Sequence, residues 1–247
     1  MLIFGCCVGK SGKFERIAEP ALANIMDPGD MFIREDGRDG ICAAYNRILL
    51  QARDIPDCEG VVLIHDDTEL RAGSREAILD GLRRPGVGVV GAIGGRGLFG
   101  PMWINSRRQS GNFYDTGGRR GPYRGAGPWV DVVDGLLIAV APRAYSTLLF
   151  DEEMFPAFHG YDTDYCLAVR NAGFEVFVPD IDYHHHNKTD LGDAAAFHRS
   201  AEALHRKWPE WIKPLTPGER IALAGRRAGG LARHHVALRV KRLVRRG

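Results

Sequence analysis

Residues Gly60 to Ile64 read GVVLI, with no charged or strongly polar member, and His65, Asp66 and Asp67 follow at once. An unbroken apolar run that ends in charge suits a strand covered on both faces, as in a parallel sheet between helices. Such a strand needs helices around it, and the chain supplies them in alternation. Strands are expected over residues 2–8, 31–34, 60–64 and 87–93, and helices over 13–25, 41–52 and 74–83. The first helix has apolar spacing at Phe14, Ile17, Ala18, Ala21, Leu22 and Ile25, with Ser11 as candidate cap, and Pro85 closes the third. The pattern predicts an α/β sandwich around a mainly parallel sheet.

The alternation breaks between Gly94 and Gly127, a glycine-rich stretch with arginines and aromatics between, read as a long loop or ribbon. Trp103, Tyr114, Tyr123 and Trp129 in and beside it are candidates for stacking on sugar rings. Regular structure resumes with a bent strand or strand pair over 130–140, a helix over 162–172, a strand over 175–178 and a closing helix over 194–208. Five cysteines without CxxC spacing suggest neither a disulfide framework nor a thiolate zinc site, and a reducing cytoplasm is expected. The opening MLIFGCCVGKSGK reads as a buried strand and not as a leader, and no apolar run approaches the roughly twenty residues of a membrane span. GKSGK lacks the full GxxxxGK[ST] pattern and is not read as a phosphate loop.

The net charge of +2 is unevenly spread. Residues 219–247 carry nine Lys/Arg against one acid, a balance of +8, which leaves 24 bases against 30 acids, or −6, for the rest. A main domain over 1–215 and a basic amphipathic tail over 216–247 are expected. The tail interleaves aliphatics with its bases and has no aromatic for base stacking, so an anionic membrane surface suits it better than nucleic acid.

Three clusters carry chemistry. Asp66 and Asp67 stand at the carboxyl end of a buried strand, where open α/β sheets bind ligands. In GYDTDYCL, Asp164 reads as a cap or first-turn acid of its helix, while Asp162 stands just before that helix, free to face a cleft. In DYHHHN, alternation lets at most His184 and His186 share a side.

In order, HDD, VGVVGAIGG, VDGLLIAV, FDEEMFPAFHGYDTDYCLAVRNAGFEVFVP, a histidine and a closing helix ending in KW resemble the family 2 nucleotide-sugar glycosyltransferases over about residues 1–210. DGICAAYNRILLQA resembles the segment that precedes their metal motif. The resemblance implies the GT-A fold, a Rossmann-like sandwich with a central mixed, mainly parallel sheet. It implies an inverting hexosyl or deoxyhexosyl transfer from a nucleotide diphosphate sugar to a hydroxyl on a carbohydrate or lipid-linked acceptor, in polysaccharide or glycolipid assembly. HDD resembles the DXD element that holds a divalent cation, Mn²⁺ or Mg²⁺, with His65 in place of the first aspartate. On this likeness Asp67 binds the metal, Asp66 the metal or ribose, and His184 or His186 completes the metal site. Asp162 falls at the general base, Asp36 contacts the nucleoside, and Asp134 and Gly135 line the sugar and acceptor side. Two other readings remain: a metal-dependent phosphoesterase built on the same aspartates and histidines, and a non-catalytic protein that binds anionic surfaces through its tail.

Overall fold

The computed structural model describes residues 1–116, 118–125, 127–187 and 193–222. The chain divides into two units, Met1–Ile212 and Lys213–Gly247. The first runs β1 (Leu2–Val8), α1 (Glu19–Ile25), β2 (Met31–Asp36), α2 (Ile41–Arg53), β3 (Gly60–His65), β4 (Thr68–Leu70), α3 (Ser74–Leu82), β5 (Val87–Gly91) and β6 (Ile93–Leu98). It continues through β7 (Ser106–Asp115), β8 (Gly118–Arg124), β9 (Trp129–Val130), β10 (Val132–Val133), β11 (Leu137–Val140), α4 (Pro142–Tyr145), α5 (Tyr161–Asn171), β12 (Glu175–Phe177), β13 (Tyr183–His185) and α6 (Ala194–Lys207).

The larger sheet has the order β2-β1-β3-β11-β5-β12-β9. Strands β2, β1 and β3 pair in parallel, as do β5 and β12, while β11 runs antiparallel between β3 and β5. The sheet is therefore mixed and mainly parallel in its core, and residues 61–64 are fully buried as their composition demands. Helix α2 buries Ile41, Tyr45, Ile48, Leu49 and Ala52, one stripe at helical spacing. The first expected helix is reshaped by Pro20, which has no N–H to give: a wide turn over Phe14–Ala18, closed by Glu19 N–H on the Phe14 carbonyl, leads into α1.

The glycine-rich stretch is mostly sheet. Strands β10, β6, β7, β13 and β4 make a second sheet, with β8 on β7. Glycine hides β6, β7 and β8 from a reading by alternation because it leaves no side chain to alternate, and β4, β10 and β13 are only two or three residues long. At Gly111 it is required, since φ is +99° and a Cβ would strike the Ala92 carbonyl across the ribbon. Residues 130–140 form three short strands in place of one bent strand or a pair. Asp131 N–H bonds the Gly95 carbonyl and Asp134 N–H the Ile93 carbonyl, so the chain leaves the large sheet, joins the second and returns as β11.

Register sets where the site lies. Cys7 is level with both Glu35 and His65, and Val8 with Asp36, so β1, β2 and β3 end together at one edge. At that edge Gly40, with φ of +92°, lets the start of α2 pass so near the Pro156 carbonyl that no Cβ would fit. Among the described residues, no helix is long and apolar enough to cross a membrane. Most of the basic tail lies outside the described residues.

Candidate active site

The chain leaves β3 at His65, turns through Asp66 and Asp67, and enters β4. The two carboxylates diverge. Asp66 Oδ2 accepts a bond from Gly9 N–H at 3.0 Å, and burial pushes its carboxyl up, with Asp67 adding to the effect. Asp67 is buried, with Lys13 Nζ 2.8 Å from Oδ2 and His185 Nε2 3.1 Å from Oδ1. Burial would raise Asp67 too, yet the His185 imidazole and the Lys13 ammonium hold it well below the usual carboxylate range. The neighbouring anions are thus reconciled by different partners. In turn, burial works against charging His185, while Asp67 outweighs burial and raises its pKa.

His184 and His186 do share a side, as alternation requires, but it is not the side of Asp67. Both turn to Glu69, and His185 is the imidazole that meets Asp67. The expected pairing is therefore exchanged. A signal for this stood in the sequence: Tyr183 is fully buried, and a residue two along a strand points the same way. Lys13 also belongs to the site, and nothing local in GKSGK, which lacks the phosphate-loop pattern, marks it.

A second pocket adjoins the first, and His65 and Phe158 line both. Its wall holds Asp134, Gly135 and Asp162. Asp162 lies in the first turn of α5, not before it, and its Oδ2 accepts Gly135 N–H at 3.0 Å while Oδ1 accepts Thr163 N–H at 2.8 Å. Burial, with help from the Asp134 charge, pushes the Asp162 carboxyl up to about 7 despite those bonds. Asp134 accepts Trp103 Nε1–H at 2.5 Å, and Trp103 is buried in the core behind the pocket rather than open for stacking. Trp129 packs on Phe177 at 4.9 Å between ring centroids, also away from either pocket. The exposed aromatic between the pockets is Phe158, 56% accessible. Tyr161 is buried, with its hydroxyl 2.7 Å from His65 Nε2 and 3.2 Å from the Gly135 carbonyl. Burial, and then His185 nearby, lower His65 to about 4, so its ring is neutral at pH 7.

Two expected residues stand apart. Asp36 lies at the exposed rim in an ion pair with Arg38, and it is Gly37 that lines the first pocket. Asp164 is a first-turn acid of α5, the second of its two expected roles, with Gly160 in the cap position; its buried carboxylate accepts Trp208 Nε1–H at 2.7 Å and Lys207 Nζ–H at 3.1 Å. The KW that ends α6 is thereby fastened to α5.

The donor set where the two pockets meet suits a divalent cation. His65, Asp67 and His185 each bring one ligand atom within 4.8 Å of the other two. His185 Nε2 is buried and, though near Asp67, is not aligned to hydrogen-bond it. A cation between His185 Nε2 and Asp67 Oδ1 would take the place of the proton on the ring and give the buried nitrogen the partner it lacks. Two imidazoles and a carboxylate favour Mn²⁺ or a later transition ion over Mg²⁺.

The cleft at the strand edge, with its paired aspartates and a second pocket that has its own carboxyl, sits on a mixed α/β sheet of the kind the GT-A resemblance implies. Residues 27–202 match the glycosyltransferase like family, and the chain belongs to that family. Streptomycin biosynthesis protein StrF of Streptomyces griseus is 28% identical over 224 residues, which cover 90% of this chain and 78% of that protein. Among solved structures, A197 from STIV is similar at 11% identity and a TM-score of 0.48, over 76% of this chain and 85% of that one. A glycosyltransferase involved in the glycosylation of the major capsid of PBCV-1 is similar at 13% identity and a TM-score of 0.38, over 72% and 81%.

Proposed function

We propose that this glycosyltransferase moves a hexosyl or deoxyhexosyl group from a nucleotide diphosphate sugar to an acceptor hydroxyl with inversion. The observation that supports this most is the adjacency of the two pockets: Lys13 and Asp67 line one, Asp162 and His185 the other, His65 and Phe158 line both, and His185 reaches Asp67 across the boundary. The donor diphosphate lies in the first pocket, with its nucleoside towards Gly37 and Asp36. His65, Asp67 and His185 would hold a divalent cation there, and such an ion supplies Lewis acidity for a departing diphosphate. Lys13 adds a second positive charge for the same oxygens. Asp162 takes the proton of the acceptor hydroxyl, with its carboxylate fixed by Gly135 and Thr163, and a pKa near 7 matches a general base to neutral pH. One base opposite the departing group gives inversion.

The acceptor is proposed to be carbohydrate or lipid-linked, in polysaccharide or glycolipid assembly. StrF is a streptomycin biosynthesis protein, so soluble small molecules belong in the acceptor panel as well. The first experiment is a panel of nucleotide sugars tested by thermal shift with and without Mn²⁺. The cognate donor, at a hundred times its dissociation constant, should add about 2.7 kcal/mol of stability, and more in the presence of Mn²⁺ than in its absence. A panel in which no nucleotide sugar shifts the melt under either condition would overturn the reading.

A further inference from the structure

The pair β4 and β13 has two faces, and the site described above uses only one. In this antiparallel pair His184 stands directly opposite Glu69 and His185 opposite Thr68. Directly opposed residues share a face, and so do residues two apart along a strand. Glu69, His184 and His186 are therefore brought together by pairing alone, on the face away from Asp67. The side chains confirm the backbone logic: Glu69 Oε2 lies 2.5 Å from His186 Nε2 and 3.8 Å from His184 Nδ1, and the two rings are 4.1 Å apart. One ligand atom from each lies within 4.8 Å of the others.

We propose that Glu69, His184 and His186 form a second metal site, for a divalent transition ion with Zn²⁺ as the best fit, distinct from the site at Asp67. Two ligand atoms each about 2.0–2.1 Å from a tetrahedral ion lie roughly 3.3 Å apart. The observed separations of 2.5 and 3.8 Å straddle that value, so small side-chain rotations admit the ion. Two imidazoles and one carboxylate are ligands of the hardness that zinc prefers, and hard oxygen-seeking Mg²⁺ or Ca²⁺ does not suit them. The three side chains are 24–35% exposed, open enough for an ion to enter and for water to take the fourth position. Arg71 Nε, 3.5 Å from Glu69 Oε1, holds the other carboxylate oxygen and leaves Oε2 for the metal. The ion would clip β4 to β13, the two strands that position Asp67 and His185 on the opposite face. This site does not depend on the transferase reading.

The test is calorimetric titration of the full metal-free chain with Zn²⁺ alone, for wild type, Glu69→Gln, the double variant His184→Ala/His186→Ala, and Asp67→Asn. A Zn²⁺ site present in wild type should persist in Asp67→Asn and weaken at least tenfold in the other two. Zn²⁺ should also raise the melting temperature of Asp67→Asn, in which the other site is disabled, but not of the triple variant Asp67→Asn/His184→Ala/His186→Ala. If the histidine pair proves necessary for folding, Glu69→Gln, which keeps a hydrogen-bond acceptor, decides alone. Wild-type Zn²⁺ affinity in Glu69→Gln and in any folded double variant, or no Zn²⁺ bound by wild type, would overturn the proposal.

Discussion

Asp162 occupies a position where activity and stability conflict. Its carboxyl is pushed up to about 7 because the folded chain takes its charge out of water beside Asp134. The folded chain therefore keeps this proton up to about pH 7, while the unfolded chain releases it near the ordinary carboxylate pKa of about 4. The contribution of Asp162 to stability is thus full below pH 4 and is lost as pH rises through 7. Asp162→Asn abolishes the penalty of burying the charge, so the variant should be more stable than wild type at pH 8 by roughly 1–3 kcal/mol and similar near pH 4. Urea unfolding at both pH values checks this, and equal destabilisation at both would show that the carboxylate is held as a structural anion.

Between elements, the join of α5 to α6 rests on Asp164. Its carboxylate is buried and takes the Trp208 indole N–H and the Lys207 ammonium, the latter shared with Asp151 at 2.6 Å. Asp164→Ala leaves the indole N–H unpaired and empties the space of the carboxylate. A cost of about 2–3 kcal/mol is expected, well above the tenths lost with an exposed first-turn acid. Asp164→Asn keeps one acceptor for the indole and should cost less. Because α6 also supplies Ser200, Ala201 and Leu204 to the second pocket, Asp164→Ala should weaken acceptor use more than donor binding. A loss below 0.5 kcal/mol in urea unfolding would remove Asp164 as the fastening.

For the whole molecule, the two units differ in charge as well as in contact. Lys213–Gly247 opens with a reciprocal cap, Thr216 N–H on Glu219 Oε2 at 2.8 Å and Glu219 N–H on Thr216 Oγ1 at 3.3 Å. We propose that the +8 segment 219–247 lies on an anionic membrane surface. Deleting it should leave transfer to a soluble acceptor intact and reduce co-sedimentation with vesicles containing anionic lipid, most clearly at low salt. Equal sedimentation with and without the segment would contradict the membrane role. The large sheet could be read from the sequence because runs such as GVVLI and VGVVG have one buried solution. The second sheet could not: β6, β7 and β8 contain glycines that carry no alternation, β4, β10 and β13 are too short to show one, and its pairings join segments far apart, such as β4 with β13. The same limit governed the site. Asp66 and Asp67 at a strand end and Asp162 near a helix start stand out from local pattern, whereas Asp134 and Gly135 are reached only through the family resemblance. The choice among the three histidines depended on which face of β13 turned inward, and the contact of Lys13 with Asp67 spans 54 positions of sequence.

The central claim is that Asp162 removes the acceptor proton beside a donor held at Asp67. The most direct measurement is the single-turnover rate of sugar transfer as a function of pH, for wild type and Asp162→Asn, with the donor and acceptor found by the panels. Wild type should gain about tenfold per pH unit below pH 7 and level off above it, as the carboxyl that is pushed up to about 7 ionises. Asp162→Asn should bind the donor as wild type does, transfer roughly a hundredfold or more slowly, and lose the inflection near 7. Transfer by Asp162→Asn at near wild-type rate with the same inflection would contradict the account.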